Sequence, residues 1–84
     1  MGTQVFEANA TLNGLPAPSV TVRNDWQQAS NAAVAVVNAV HGQNTEEHVV
    51  ELTNPVTGES RTYHVICWIE FKQVARELRH ERNP

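Results

Sequence analysis

The chain has 84 residues, a formal charge of -3, 40% hydrophobic and 18% charged residues, and a length near the lower limit for a single self-sufficient core. No apolar run approaches the roughly 20 residues of a membrane-spanning helix, and no basic stretch followed by an apolar one opens the sequence, so one soluble, cytoplasmic domain over residues 1–84 is expected. One cysteine, Cys67, excludes an internal disulfide and suits a small buried hydrophobe in a reducing compartment.

The first segment, "VFEANATLNG", alternates: Phe6, Ala8, Ala10 and Leu12 fall on one face, Glu7, Asn9 and Thr11 on the other. It runs into Asn13-Gly14, a strong hairpin signal. The return strand "LPAPSVTVR" carries Pro16 and Pro18, which remove two ladder donors and place it at a sheet edge. A plain two-residue turn sets Phe6 opposite Thr21; a longer loop or a bulge near Leu12 to Leu15 sets it opposite Val20 and keeps one apolar face, which is the register expected. The period then changes to that of a helix, with Trp26, Ala29, Ala33, Val36, Val37 and Val40 on one stripe, a cap at Asn24 or Asp25 and a stop at Gly42. His41 in its last turn faces the negative end of the helix dipole.

The segment from Glu46 to Phe71 reads as a second hairpin, and a two-residue turn at Thr57-Gly58 pairs Leu52 with Tyr63 and Val50 with Val65. "TEEHVVEL" also fits a capped helical turn, but its adjacent valines favour strand. Phe71, Val74, Ala75 and Leu78 recur at i, i+3, i+4 and i+7, which predicts a short amphipathic helix over residues 72–82. The expected fold class is therefore α+β: a two-layer β-β-α-β-β-α domain with a four-stranded, mainly antiparallel sheet and a long helix on one face. The strand at Thr62 to Phe71 is the most apolar and should be central, which favours the order 2-1-4-3, with 2-1-3-4 as the alternative.

That strand is apolar on both sides: Tyr63, Val65, Cys67 and Ile69 face the helix, while Ile66 and Trp68 face the other way. The second face then sets Val49 opposite Ile66 and His64 opposite Glu51, with Glu47, Glu70 and Trp68 nearby. Either the C-terminal helix folds over this patch with Val74 and Leu78, or the patch is left for a partner. The candidate protein-binding set is Glu47, Glu51, Glu70, Trp68, Ile66, Val49 and His64, an acidic and aromatic surface suited to a basic protein.

Residues 72 to 84 carry Lys72, Arg76, Arg79 and Arg82 against Glu77 and Glu81, whereas residues 1 to 71 carry only Arg23 and Arg61 against seven acids. The basic tail is the alternative, a nucleic-acid contact made by Lys72, Arg76, Arg79 and Arg82. His64-x-x-Cys67 fails as a metal pair because residues three apart in a strand point to opposite faces, and no phosphate loop or nucleophile motif is present, so no enzyme, metal or cofactor is expected. Size, acidic body, hairpin-helix-hairpin layout and lack of an active site together resemble the small phage-encoded anti-CRISPR proteins that act on type I CRISPR-Cas systems. The resemblance spans the chain as a layout and transfers no residue role. It implies stoichiometric, non-catalytic inhibition by binding the surveillance complex, Cascade, or its recruited nuclease in a bacterial cytoplasm. The expected function is thus a protein-binding inhibitor; the alternatives are a small nucleic-acid-binding or regulatory module and a homodimeric structural protein joined through the second sheet face.

Overall fold

A computed structural model of the chain describes residues 4–42, 46–69 and 72–78, the side chains of 67–69 and 72–73 excepted. Val5–Leu12 forms β1 and Leu15–Arg23 forms β2, joined by Asn13-Gly14 at φ 53° and 86°. Two residues in the left-handed region match the twist of the flanking strands, which is why the turn is tight. Pairing runs Leu12 to Leu15 and Ala10 to Ala17, then shifts so that Ala8 meets Val20 and Phe6 meets Val22. The bulge thus lies in β2 at Pro18 and Ser19, not beside the turn, and the expected partner of Phe6 is corrected from Val20 to Val22. The two prolines share one stretch of edge strand, and the ladder slips just beyond Ala17, at Pro18 and Ser19.

The helix, α1, spans Ala29–His41 and buries Ala29, Ala32, Ala33, Val36 and Val37, a stripe at i, i+3, i+4, i+7 and i+8. It begins later than expected, and neither Asn24 nor Asp25 caps it. Asp25 instead accepts the Gln27 amide at 3.1 Å, and both Trp26 and Gln28 adopt φ 62°. This kinked approach turns the Trp26 ring into the core, where it meets Phe6 edge to face at 5.1 Å. Val40, expected on the stripe, is exposed. Gly42 stops the helix at φ 69° and donates its N–H to Asn38 O.

His48–Thr53 forms β3 and Ser60–Ile69 forms β4. Val50 pairs with Tyr63 and Leu52 with Arg61, two residues away from the expected register, so the apolar faces are kept while the partners change. The cause is the connection: six residues, Asn54 to Glu59, replace a two-residue turn. Buried Asn54 organises them, its Oδ1 accepting the Val56 and Thr57 amides and its backbone O accepting Gly58 N–H.

Lys72–Leu78 is a fifth strand, β5, where a helix was expected, and it pairs antiparallel with β4. Among the described residues the fold is therefore five strands and one helix, not the expected four strands and two helices. "KQVAREL" is rich in helix formers, but β4 would otherwise present a ten-residue edge of unpaired backbone groups, and a hairpin satisfies them. The sheet order is β2-β1-β3-β4-β5, antiparallel throughout. This corrects 2-1-4-3: β4 gains its second neighbour from β5 and does not need to lie against β1. The helix crosses one face and contacts all five strands. Between them lie Ala8, Leu12, Val22, Val37, Val50, Leu52, Tyr63 and Val65, all buried. Each fully buried valine or leucine here contributes about 1.5 to 3 kcal/mol.

Candidate protein-binding face

The opposite face of the sheet carries no described element. Register places its side chains in rows: Val49, His64 and Arg76 across one; Glu51, Thr62 and Leu78 across the next; Ile66 beside Val74 at the end. Val49 and Leu78 are 41% and 40% exposed, and Ile66 and Val74 are half-buried. Glu47, in the approach to β3, places Oε1 3.1 Å from His64 Nε2. The carboxylate is 72% exposed, so the pair is worth no more than a few tenths of a kcal/mol. Toward the β2 edge, Glu7 accepts hydrogen bonds from Ser19 and Thr21.

Several expectations change here. Val49 faces His64, not Ile66, and His64 pairs with Glu47, not Glu51, because of the two-residue register difference. Of the two covers expected for the patch, a folded-back C-terminal helix is not what residues 72–78 form: they are β5, which extends the patch with Val74, Arg76 and Leu78. Arg76, read as part of a separate basic surface, sits on the same face as the acids. Glu70, Arg79 and Arg82 lie outside the described residues, as do the side chains of Trp68 and Lys72; the inward assignment of Cys67 and Ile69 lies there too.

A polar cluster that sequence reasoning missed sits at the turn end of the first hairpin. His41, at the end of α1, stacks on His48 with ring centroids 4.6 Å apart and planes 18° from parallel. His48 is buried at 3% exposure, and its Nδ1 lies 3.0 Å from Asn13 Nδ2. Asn13 Oδ1 accepts Val49 N–H at 2.8 Å, which fixes the amide so that Nδ2 points at the ring. An amide nitrogen only donates, so Nδ1 accepts and the proton of the neutral ring is on Nε2. Burial holds the His48 pKa below its usual value, His41 adds to the depression, and Glu46 opposes it. The signal was present: His48 shares parity with Val50 and Leu52 and had to face inward. Beside the stack, Leu12, Leu15, Pro16 and Val40 line an apolar recess of about 290 Å³.

Arg61 closes the other end of the core. Its guanidinium lies 4.9 Å over the Trp26 ring, 3.3 Å from Glu59 and 4.0 Å from Glu77. Burial pushes the Tyr63 phenol up, Glu77 adds to this, and Arg61 opposes it. This is a charged lid over the Trp26 ring. Among the described residues no three of His, Cys, Asp or Glu group as metal ligands, and no helix is long and apolar enough to cross a membrane. Comparison with known proteins finds no matching family model, no similar curated protein and no similar solved structure.

Proposed function

We propose that the chain is a non-enzymatic binding protein whose open sheet face docks onto another protein and inhibits it. The observation that supports this is the interleaving of Val49, Ile66, Val74 and Leu78 with Glu47, Glu51, His64 and Arg76 on a face that no described element covers. A polar rim around apolar groups is the anatomy of a protein contact, where apolar centres hold and rim charges steer. The nucleic-acid alternative rests on Lys72, Arg76, Arg79 and Arg82, of which the described side chains include only Arg76, opposite His64 on the same face as Glu51.

The target class we favour is the one that the layout resemblance implies: a type I surveillance complex or its nuclease, whose nucleic-acid-binding surfaces are basic. Binding of the purified complex and nuclease is measured at two salt concentrations for wild type, for the double variant Glu47→Lys, Glu51→Lys, and for Val49→Asp. The double variant is expected to associate more slowly and to lose salt dependence, and Val49→Asp to bind about tenfold more weakly. Equal binding by all three would remove the face from the mechanism. No binding by the wild type would remove this target class.

A further inference from the structure

The two edges of the sheet are built differently. β2 carries Pro16 and Pro18 and a bulge, all of which block further strand addition. β5 has neither proline nor glycine, and among the described residues nothing pairs with its far side. About half of the N–H and C=O groups of an antiparallel edge strand point outward. Val74, Arg76 and Leu78 alternate with Ala75 and Glu77, so the strand keeps a clean pleat to its end.

We infer that β5 pairs antiparallel with β5 of a second copy, about a twofold axis that stands normal to the sheet at Ala75. Residues directly opposite in an antiparallel pair share a face, so such an axis lies midway between two copies of one residue and not between neighbouring positions. Centred on Val74, it sets Lys72 opposite Arg76. Centred on Arg76, it sets that cation opposite itself. Both place like charges together, which is unfavourable across strands. Centred on Ala75, it sets Arg76 opposite Val74, Glu77 opposite Gln73 and Leu78 opposite Lys72, and no like charges meet. Axes further along the strand shorten the pairing. The small Ala75 pair lies at the centre, and the stem of Arg76 can lie across the Val74 methyl groups.

A single register of this strand is therefore self-complementary, which favours a second copy over an unrelated strand. The assembly joins the two sheets edge to edge, keeps both helices on one side and makes the open faces continuous. It does not depend on what those faces bind.

Sedimentation equilibrium over a wide concentration range tests it on the full chain. The wild type is expected to rise from the 9.3 kDa chain mass toward twice that value. Val74→Glu sets a carboxylate opposite the partner's Arg76 at two symmetric places and should tighten the dimer, while Val74→Lys should loosen it. Each change is expected to be roughly threefold to thirtyfold in Kd. Melting curves confirm that both variants fold. Amide exchange supplies a second readout: β5 amides should slow as concentration rises. A chain that stays monomeric at millimolar concentration, a dimer whose β5 amides are not slowed, or equal responses to the two substitutions would each overturn the assignment.

Discussion

Asn13 holds His48 in its neutral form with the proton on Nε2. The same side chain accepts Val49 N–H, and its backbone N–H donates to Val49 O, so one turn residue bonds to both backbone groups of a residue on β3. The left-handed φ of Asn13 is what aims its amide across the gap, and asparagine is one of the few residues other than glycine that adopts it readily.

Replacing Asn13 by Gly separates the turn from the side chain. Glycine keeps the positive φ, so the hairpin should form, while the Val49 amide and the His48 ring lose their partner. A loss of about 1 to 3 kcal/mol is expected by denaturant unfolding. A loss below a few tenths would mean that the side-chain bridge contributes nothing.

Acid should weaken the fold through His48. Its folded pKa lies below the unfolded value near 6.5, so its contribution is complete above about 6.5 and is lost as pH falls through the lower folded value. Protonation also turns Nδ1 from acceptor into donor, against an amide that can only donate. Melting temperature followed from pH 7.5 to pH 5 should fall in the wild type and fall less in His48→Asn, whose side-chain oxygen can take the place of Nδ1. Asn13→Asp offers the protonated ring an acceptor and should also reduce the acid sensitivity. Parallel curves for all three would dissociate the effect from this pair.

At the other end of the core, Arg61→Met keeps most of the stem but removes the charge over Trp26 and the links to Glu59 and Glu77. Cation-π contacts at such partly exposed sites contribute about 0.5 to 1 kcal/mol, and the ion pairs less. A total loss of about 1 kcal/mol is expected, together with an upward shift in the spectrophotometric Tyr63 titration, since the Arg61 charge is what opposes the rise; an unmoved titration would remove that role. Retention of the charge in Arg61→Lys should recover part of the stability, and no recovery would assign the loss to packing alone.

Period-two alternation was enough to read β1, β3 and the inward Tyr63 and Val65 of β4, because one-sided burial forces every second residue inward regardless of register. Register itself was less legible. The side chain of Asn54 organises a six-residue loop where a Thr57-Gly58 turn also matched apolar with apolar, and the two solutions differ by an even number of residues. For β5, Val74, Ala75 and Leu78 fit both a helical stripe and a pleat; only the need of β4 for a second neighbour decides between them, and that need is tertiary. The candidate face was found in outline from Val49, Ile66 and His64, but its pairings and the presence of Arg76 depended on the same two unread features. Arg61 entered the sequence reading only as a count of charge, because nothing local tells an arginine that a tryptophan from the helix approach will lie beneath it.

The seam between β1 and β3 has a consequence for folding kinetics. Every other strand pair is a hairpin between chain neighbours, while this one joins Asn9–Leu12 to Val50–Thr53 across β2 and α1 and spans only four residues on each strand. Local hairpins close fast, whereas a long loop must lose its entropy before distant contacts form. On this topology the molecule is expected to assemble as two blocks, β1-β2 and β3-β4-β5, whose joining sets the refolding rate. Asn13 lengthens that short seam by one rung, so Asn13→Gly should slow refolding in stopped-flow more than it speeds unfolding; the reverse ratio would place closure of the seam after the barrier.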